Sequence, residues 1–154
     1  KKWYKKVGVV YQNPDYQLFM QTVEKEIKFG AKSDEYADEI AEKFGIKHLY
    51  ARHPQSLSEG QKRRVSIAAV VATDPEVLIL DEPTVGQDYK GLCEMVEVLN
   101  KLHEEAHNTM ITVTHDKRCA AALCDKSVWI KNGKTYKTGG KELVDEFFIQ
   151  IGVN

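Results

Sequence analysis

The sequence is short of most features that would set it apart from ordinary globular proteins. No apolar run approaches the ~20 residues needed to cross a bilayer. The opening stretch KKWYKKVGVVYQ has too short an apolar run, and no small-residue cleavage site, for a secretory signal. Neither charge dominates. The 22 Lys and Arg stand against 23 Asp and Glu, a net charge of −1, which gives no broad electrostatic footprint for nucleic acid. Cysteine is scarce. Cys93, Cys119 and Cys124 are odd in number and lack C-x-x-C spacing, which argues for reduced thiols in a cytosolic setting. Internal repeats and low-complexity tracts are absent.

What is present suits one domain. The chain has 154 residues, 42% of them apolar, enough for a core, and 29% charged. Val7 to Tyr11 reads as a buried strand that ends in the turn cluster Gln12-Asn13-Pro14-Asp15. Thr22 can open a helix that Gly30 closes, and Ser33 or Asp34 one that runs to about Phe44 before Gly45. An irregular link through His53-Pro54 follows, so Phe19 to Ala72 reads as mostly helical.

The stretch from Leu57 to Asp88 organises the rest. Ser58 with Gln61 makes a capping-box pattern ahead of a helix with a broad apolar face. Asp74-Pro75 turns the chain into Val77-Leu78-Ile79-Leu80, an aliphatic run typical of a parallel strand buried on both faces. That strand delivers Asp81 and Glu82 and stops at Pro83. A helix from Tyr89 to Ala106, a strand from Thr109 to Thr114, a short helix from Ala120 to Leu123, a strand from Ser127 to Ile130, the Asn132-Gly133 turn and a closing helix from Glu142 to Ile151 complete the chain. Alternating strands and helices predict an α/β fold with a parallel sheet.

Ligands of open parallel sheets gather beyond the carboxyl ends of the strands. Three such ends carry polar groups here: Gln12, Asp81-Glu82, and His115-Asp116. If the strands are neighbours, these side chains converge. Consecutive carboxylates on a strand point to opposite sides. One can hold a metal through water while the other faces a nucleophilic water, a division that suits Mg²⁺-assisted phosphoryl transfer. Singly, each feature is ordinary: a solvated acidic turn, a loop histidine, a helix cap. Their order and strand contexts together are not.

In this order the motifs resemble those of the ATP-binding-cassette (ABC) transporter ATPases. Leu57-Ser58-Glu59-Gly60-Gln61 resembles the signature LSGGQ, and Val77 to Glu82 resembles the Walker B strand with its catalytic glutamate. Val85-Gly86-Gln87-Asp88 resembles the D-loop, Thr114-His115-Asp116 the His switch, and Gln12 the Q-loop glutamine. The resemblance implies a P-loop NTPase (RecA-like) parallel-sheet core, incomplete, with an inserted α-helical subdomain carrying the signature. It divides residues 1–154 into a Q-loop strand and loop (1–18), a mainly helical subdomain (19–74) and the Walker B to C-terminal part of the core (75–154).

The same resemblance implies roles. Asp81 would hold Mg²⁺ through water, and Glu82 would be the general base. His115 would contact the γ-phosphate, and Gln12 would touch metal and water and report to a membrane partner. Leu57, Ser58, Glu59, Gly60 and Gln61 would form the segment that meets the ATP held by an opposite subunit, with Ser58 and Gly60 on its γ-phosphate. A helix N-terminus suits that anion. Asp88 would lie at the seam of a homo- or heterodimer of ATPase domains that sandwiches two ATP molecules. The cofactors would be ATP and Mg²⁺. The partners would be a second ABC ATPase domain and a transmembrane transporter subunit, not nucleic acid, at the cytoplasmic face of the membrane.

Departures matter as well. No G-x-x-x-x-G-K-[ST] segment occurs, so the resemblance implies a fragment of a longer ATPase. Such a fragment should bind ATP weakly, be marginally stable, and leave unpaired edges on the strands ending at Thr114 and containing Val128. Gly139-Gly140-Lys141 is followed by Glu142 rather than Ser or Thr and reads as a turn. Glu59 replaces the first signature glycine. His103-Glu104-Glu105-Ala106-His107 matches H-E-x-x-H, yet it closes an amphipathic helix and no third ligand follows, so it reads as helix rather than zinc site. Tyr11 to Phe19, Gln61 to Arg64 and Asp81 to Asp88 resemble the energy-coupling factor importers, which take up vitamins, cobalt or nickel. The alternatives are a coupling module without turnover and an ABC ATPase acting on nucleic acid.

Overall fold

The computed structural model describes residues 6–106 and 108–152. The chain forms two compact units, Lys1–Val113 and Thr114–Asn154.

The first unit is built on three parallel strands: β1 (Val7–Val10), β2 (Val77–Asp81) and β3 (Thr109–Val113), in the spatial order β1-β2-β3. The register pairs Val9 with Ile79 and Ile79 with Ile111. Even-numbered positions Val10, Leu78 and Leu80 are buried, and odd-numbered Val7, Val9, Val77 and Ile79 are half-buried. This differs from the expected burial of Val77–Leu80 on both faces. The reason is that α3 (Glu59–Val71) and α4 (Tyr89–Ala106) gather on one side, where Val71, Leu99 and Leu102 line one crevice with Leu78 and Met110. Gly8 lets α3 come close: a Cβ there would lie 2.5 Å from Val70 Cγ1. Among the described residues β3 pairs on one side only, with β2, and leaves Ile111 and Val113 exposed.

Between β1 and β2 the chain is helical. The helices α1 (Val23–Lys28) and α2 (Asp34–Lys43) pack on α3. Thr22 and Ser33 cap them as expected. The link contains two short 3₁₀ turns, Lys47–Leu49 and Pro54–Ser56. Ile27, Ile40, Ile46 and Ile67 are fully buried. Buried Glu26 accepts hydrogen bonds from the backbone N–H groups of Phe19 (2.9 Å) and Met20 (2.7 Å), so the loop after β1 is anchored to α1.

The second unit holds α5 (Lys117–Leu123), β4 (Ser127–Lys131), β5 (Lys134–Gly139) and α6 (Lys141–Gln150). β4 and β5 form an antiparallel hairpin through Asn132-Gly133, both with positive φ, the pairing a tight primed turn requires. Trp129 packs edge-on against Tyr136 and Phe147. α5 starts at Lys117, earlier than the sequence reading, because Asp116 caps it by accepting from the N–H groups of Arg118 and Cys119.

Candidate functional site

The site grows from the edge of the sheet where β1 and β2 end. Val10 pairs with Leu80, so Tyr11-Gln12 and Asp81-Glu82 leave neighbouring parallel strands at the same edge. This is the adjacency that convergence requires. Asp81 closes β2 and is half-buried.

Glu82 departs from the expected alternation of carboxylates. Its φ is +48°, in the left-handed region that a non-glycine residue rarely adopts. Its N–H donates to the carbonyl of Val113 at 2.8 Å, and the residue is buried. The chain therefore turns sharply at Glu82, and strand geometry does not set where that side chain points. A strained, buried acid at a strand end is a common mark of a functional position. Pro83 and Thr84, both buried, continue the turn, and Gln87 N–H donates to the carbonyl of Thr84 at 3.2 Å.

α3 begins at Glu59 with the expected capping box. Gln61 N–H donates to Ser58 Oγ at 3.3 Å, and Ser58 N–H donates to Gln61 Oε1 at 3.1 Å. The first intrahelical bond runs from Lys62 N–H to the Ser58 carbonyl. The N–H groups of Glu59 and Gly60 come before it, so they have no acceptor within the helix. This is a suitable end for an anion. Leu57 is buried below the cap, and Ser58 and Glu59 are exposed. Glu59 Oε1 accepts from Lys62 Nζ at 3.2 Å, which draws its charge partly into an ion pair.

The D-loop-like turn packs on this helix. Gln87 Nε2 donates to the Gly60 carbonyl at 3.0 Å. Asp88 Oδ1 accepts from Gly91 N–H at 2.7 Å at the start of α4. Arg64 pairs with Glu94 at 2.8 Å. Gln12 is exposed at its side chain, while its carbonyl accepts from Arg63.

Thr114, His115 and Asp116 belong to the second unit. Asp116 N–H donates to Thr114 Oγ1 at 3.0 Å, which folds the exposed His115 into a tight turn. The Arg118 guanidinium, with Nε at 3.2 Å and a terminal nitrogen at 2.9 Å, holds the Asp116 carboxyl below the usual carboxylate range, helped by the two capping N–H groups.

Gly140 precedes α6, and its N–H donates to Glu142 at 2.7 Å. His103 is half-buried with Nδ1 3.4 Å from Asn108 Oδ1, and His107 lies outside the described residues. Among the described residues no group of three His, Cys, Asp or Glu is placed to hold a metal. Asp81 offers a half-buried carboxylate at the sheet edge. That fits Mg²⁺, which keeps several waters and binds one or two carboxylates together with substrate phosphates.

The long-range contacts of Arg63, Lys62, Gln87 and Glu26 have no motif that announces them. One signal was available for the first two. Basic residues near a helix N-terminus oppose the helix dipole, so Lys62-Arg63 so close to the start of α3 calls for another partner.

A family profile for ABC transporters matches residues 1–85. The energy-coupling factor transporter ATP-binding protein EcfA2 of Enterococcus faecalis is 44% identical over 149 residues, which cover 91% of this chain and 52% of that protein. The chain thus spans about half the length of the curated relatives it matches. Among solved structures, cbiO1 from Clostridium perfringens, part of the ABC transporter complex cbiONQ, superposes with a TM-score of 0.79 at 33% identity, covering 96% of this chain and 63% of that one. The ATP-binding cassette MJ0796, in a dimeric post-hydrolysis state bound to ADP and Pi, gives 0.77 at 26% identity over 88% of this chain and 63% of its own.

Proposed function

The chain belongs to the ABC transporter family, and from that premise we propose that it forms part of an ATPase that hydrolyses ATP to drive import of a small solute of the vitamin or cobalt/nickel type. The observation that carries this reading is the shared sheet edge, where parallel neighbours β1 and β2 release Gln12 and the Asp81-Glu82 pair together. Relatives named as energy-coupling factor ATP-binding proteins support the importer class.

Glu82 accepts a proton from the attacking water, its backbone fixed by the Val113 carbonyl. Gln12 orients that water and would also touch Mg²⁺. Asp81 is the carboxylate that would meet Mg²⁺ through water. Mg²⁺ when bound neutralises charge on the phosphoryl oxygens. Ser58 and the free N–H groups of Glu59 and Gly60 bind the γ-phosphate held by a second ATPase domain, and Asp88 lies at the seam between the two. The family resemblance assigns His115 to the γ-phosphate. Residues 19–74 act as the helical subdomain. Tyr16, Phe19 and Phe29 stay exposed beside the Gln12 loop, with Phe19 and Phe29 in edge-on contact at 5.2 Å. This aromatic patch suits docking of a transmembrane subunit at the cytoplasmic face. Because residues 1–154 hold no G-x-x-x-x-G-K-[ST], they bind Mg-ATP weakly by themselves and turn over little.

The test is Glu82→Gln in the complete ATPase. Turnover falls by at least about a hundredfold while ATP-bound dimers accumulate on size exclusion. Unchanged turnover would refute the base assignment.

A further inference from the structure

Arg63 is 3% exposed, near the start of α3. Its terminal nitrogens donate to the main-chain carbonyls of Tyr11 (2.8 Å) and Gln12. Its Nε has no hydrogen-bond partner among the described residues. Burial lowers its pKa, while the charges of Asp81, Glu59 and Glu82 favour the cation. No carboxylate lies in direct ion-pair contact with it among the described residues. A buried cation without a direct counter-ion is expensive, and packing alone would be served better by an apolar side chain of similar size. The residue that the fold tolerates here therefore acts through its donors.

Those donors grip a loop that is otherwise one piece. Gln17 closes it from within, accepting from Tyr11 N–H at 2.8 Å and donating to the Val9 carbonyl at 3.0 Å. Asn13 caps its short 3₁₀ turn by accepting from Asp15 N–H at 2.9 Å. Lys62 adds a second strap, reaching Asp15 at 2.9 Å. The first turns of α3 therefore hold the whole loop from Tyr11 to Gln17.

We infer that Arg63 is a positioning residue that makes the signature helix and the Gln12 loop one mechanical unit. The inference rests on the roles proposed above for Ser58 and Gln12. Ser58 meets the nucleotide of the opposite site, and Gln12 serves the nucleotide of its own. A shift of α3 driven by one nucleotide pulls the main chain at Tyr11-Gln12 through two hydrogen bonds and so resets Gln12 at the other. Arg63 touches no reacting atom. It acts through where it holds Gln12.

The test uses the complete ATPase assembled with its partners. Arg63→Met keeps the volume and removes the donors. It should lower kcat by about tenfold or more and leave KM for Mg-ATP within about twofold. Amide exchange should rise at Tyr11 to Gln17 without a change in β2 or in the body of α3. Arg63→Lys, which keeps the charge and can reach one carbonyl, should recover part of kcat. Full kcat in Arg63→Met, or a loss of kcat with protection lost throughout α3, would overturn the assignment. If Arg63→Met does not fold, Arg63→Lys decides: a lowered kcat at unchanged melting temperature supports the role, and unchanged kcat refutes it. A Glu82→Gln variant with unchanged turnover brings down the base assignment made above. An inactive Glu82→Gln beside a fully active Arg63→Met brings down only the role of Arg63.

Discussion

Gln87 donates from its side-chain amide to the carbonyl oxygen of Gly60 at 3.0 Å, across 27 residues of sequence. The bond fixes the turn that follows Thr84 against the first turn of α3. A Cβ at Gly60 would lie 3.2 Å from Gln87 Nε2 and 3.4 Å from the Gly86 carbonyl, so the two segments are already close.

Replacing Gln87 separates donor chemistry from shape. Gln87→Glu keeps the shape but sets a carboxylate oxygen against a carbonyl oxygen. Stability should fall by about 1–3 kcal/mol, because the part-buried Gly60 carbonyl loses its donor and faces an anion. Gln87→Leu, which removes the donor without adding a charge, should lose about 1 kcal/mol. Chemical denaturation of both variants checks the order. Equal losses would mean that the contact is packing and not a hydrogen bond.

Much of the architecture is written locally, and much of the site is not. Ser58 and Gln61 announce the capping box because both partners sit within one turn of helix. Asn132-Gly133 announces the hairpin because few residue pairs tolerate two positive φ values. Glu82 is a different case. Its φ of +48° goes with the long-range bond from its N–H to the Val113 carbonyl, and glutamate itself carries no signal for it. Arg63 meets the Gln12 carbonyl over 51 residues of sequence, a distance that no periodicity reports. Asp116 hides a second role. Its place in the Thr-His-Asp motif draws attention away from its ordinary work as the cap of α5, and so the start of that helix is read three residues late. The family resemblance names the motifs, but the straps between them emerge only when the chain is folded.

Gly8 carries a close approach that can be tested alone. A Cβ there meets Val70 Cγ1 at 2.5 Å and the Pro75 ring at 3.1 and 3.3 Å. Gly8→Ala should push α3 off β1 and lower stability by about 1–3 kcal/mol, the usual effect of overpacking. Val70→Ala in the same chain removes the nearest atom and should recover a large part of the loss. A double-mutant cycle measures the coupling. Additive losses would show that Val70 is not what limits the space at Gly8.

The Asp116 carboxyl gives stability a pH dependence with a definite sign. Its folded pKa is depressed, first by the Arg118 hydrogen bonds and then by the N–H groups of Arg118 and Cys119. A depressed carboxylate binds its proton more weakly in the folded state than in the unfolded one. The stabilisation is therefore fully present above the unfolded Asp pKa of about 3.9 and is lost as pH falls through the lower folded value. Arg118→Ala removes the largest cause and keeps the backbone caps. The Asp116 titration should then move up towards the ordinary range, and the stability difference from the parent should be present at pH 7 and shrink as pH drops below the folded pKa. Carboxyl NMR titration follows the group directly, and denaturation at both pH extremes follows the linkage. An unmoved titration would mean that the capping N–H groups, and not Arg118, set the acidity of the residue that fixes the turn at His115.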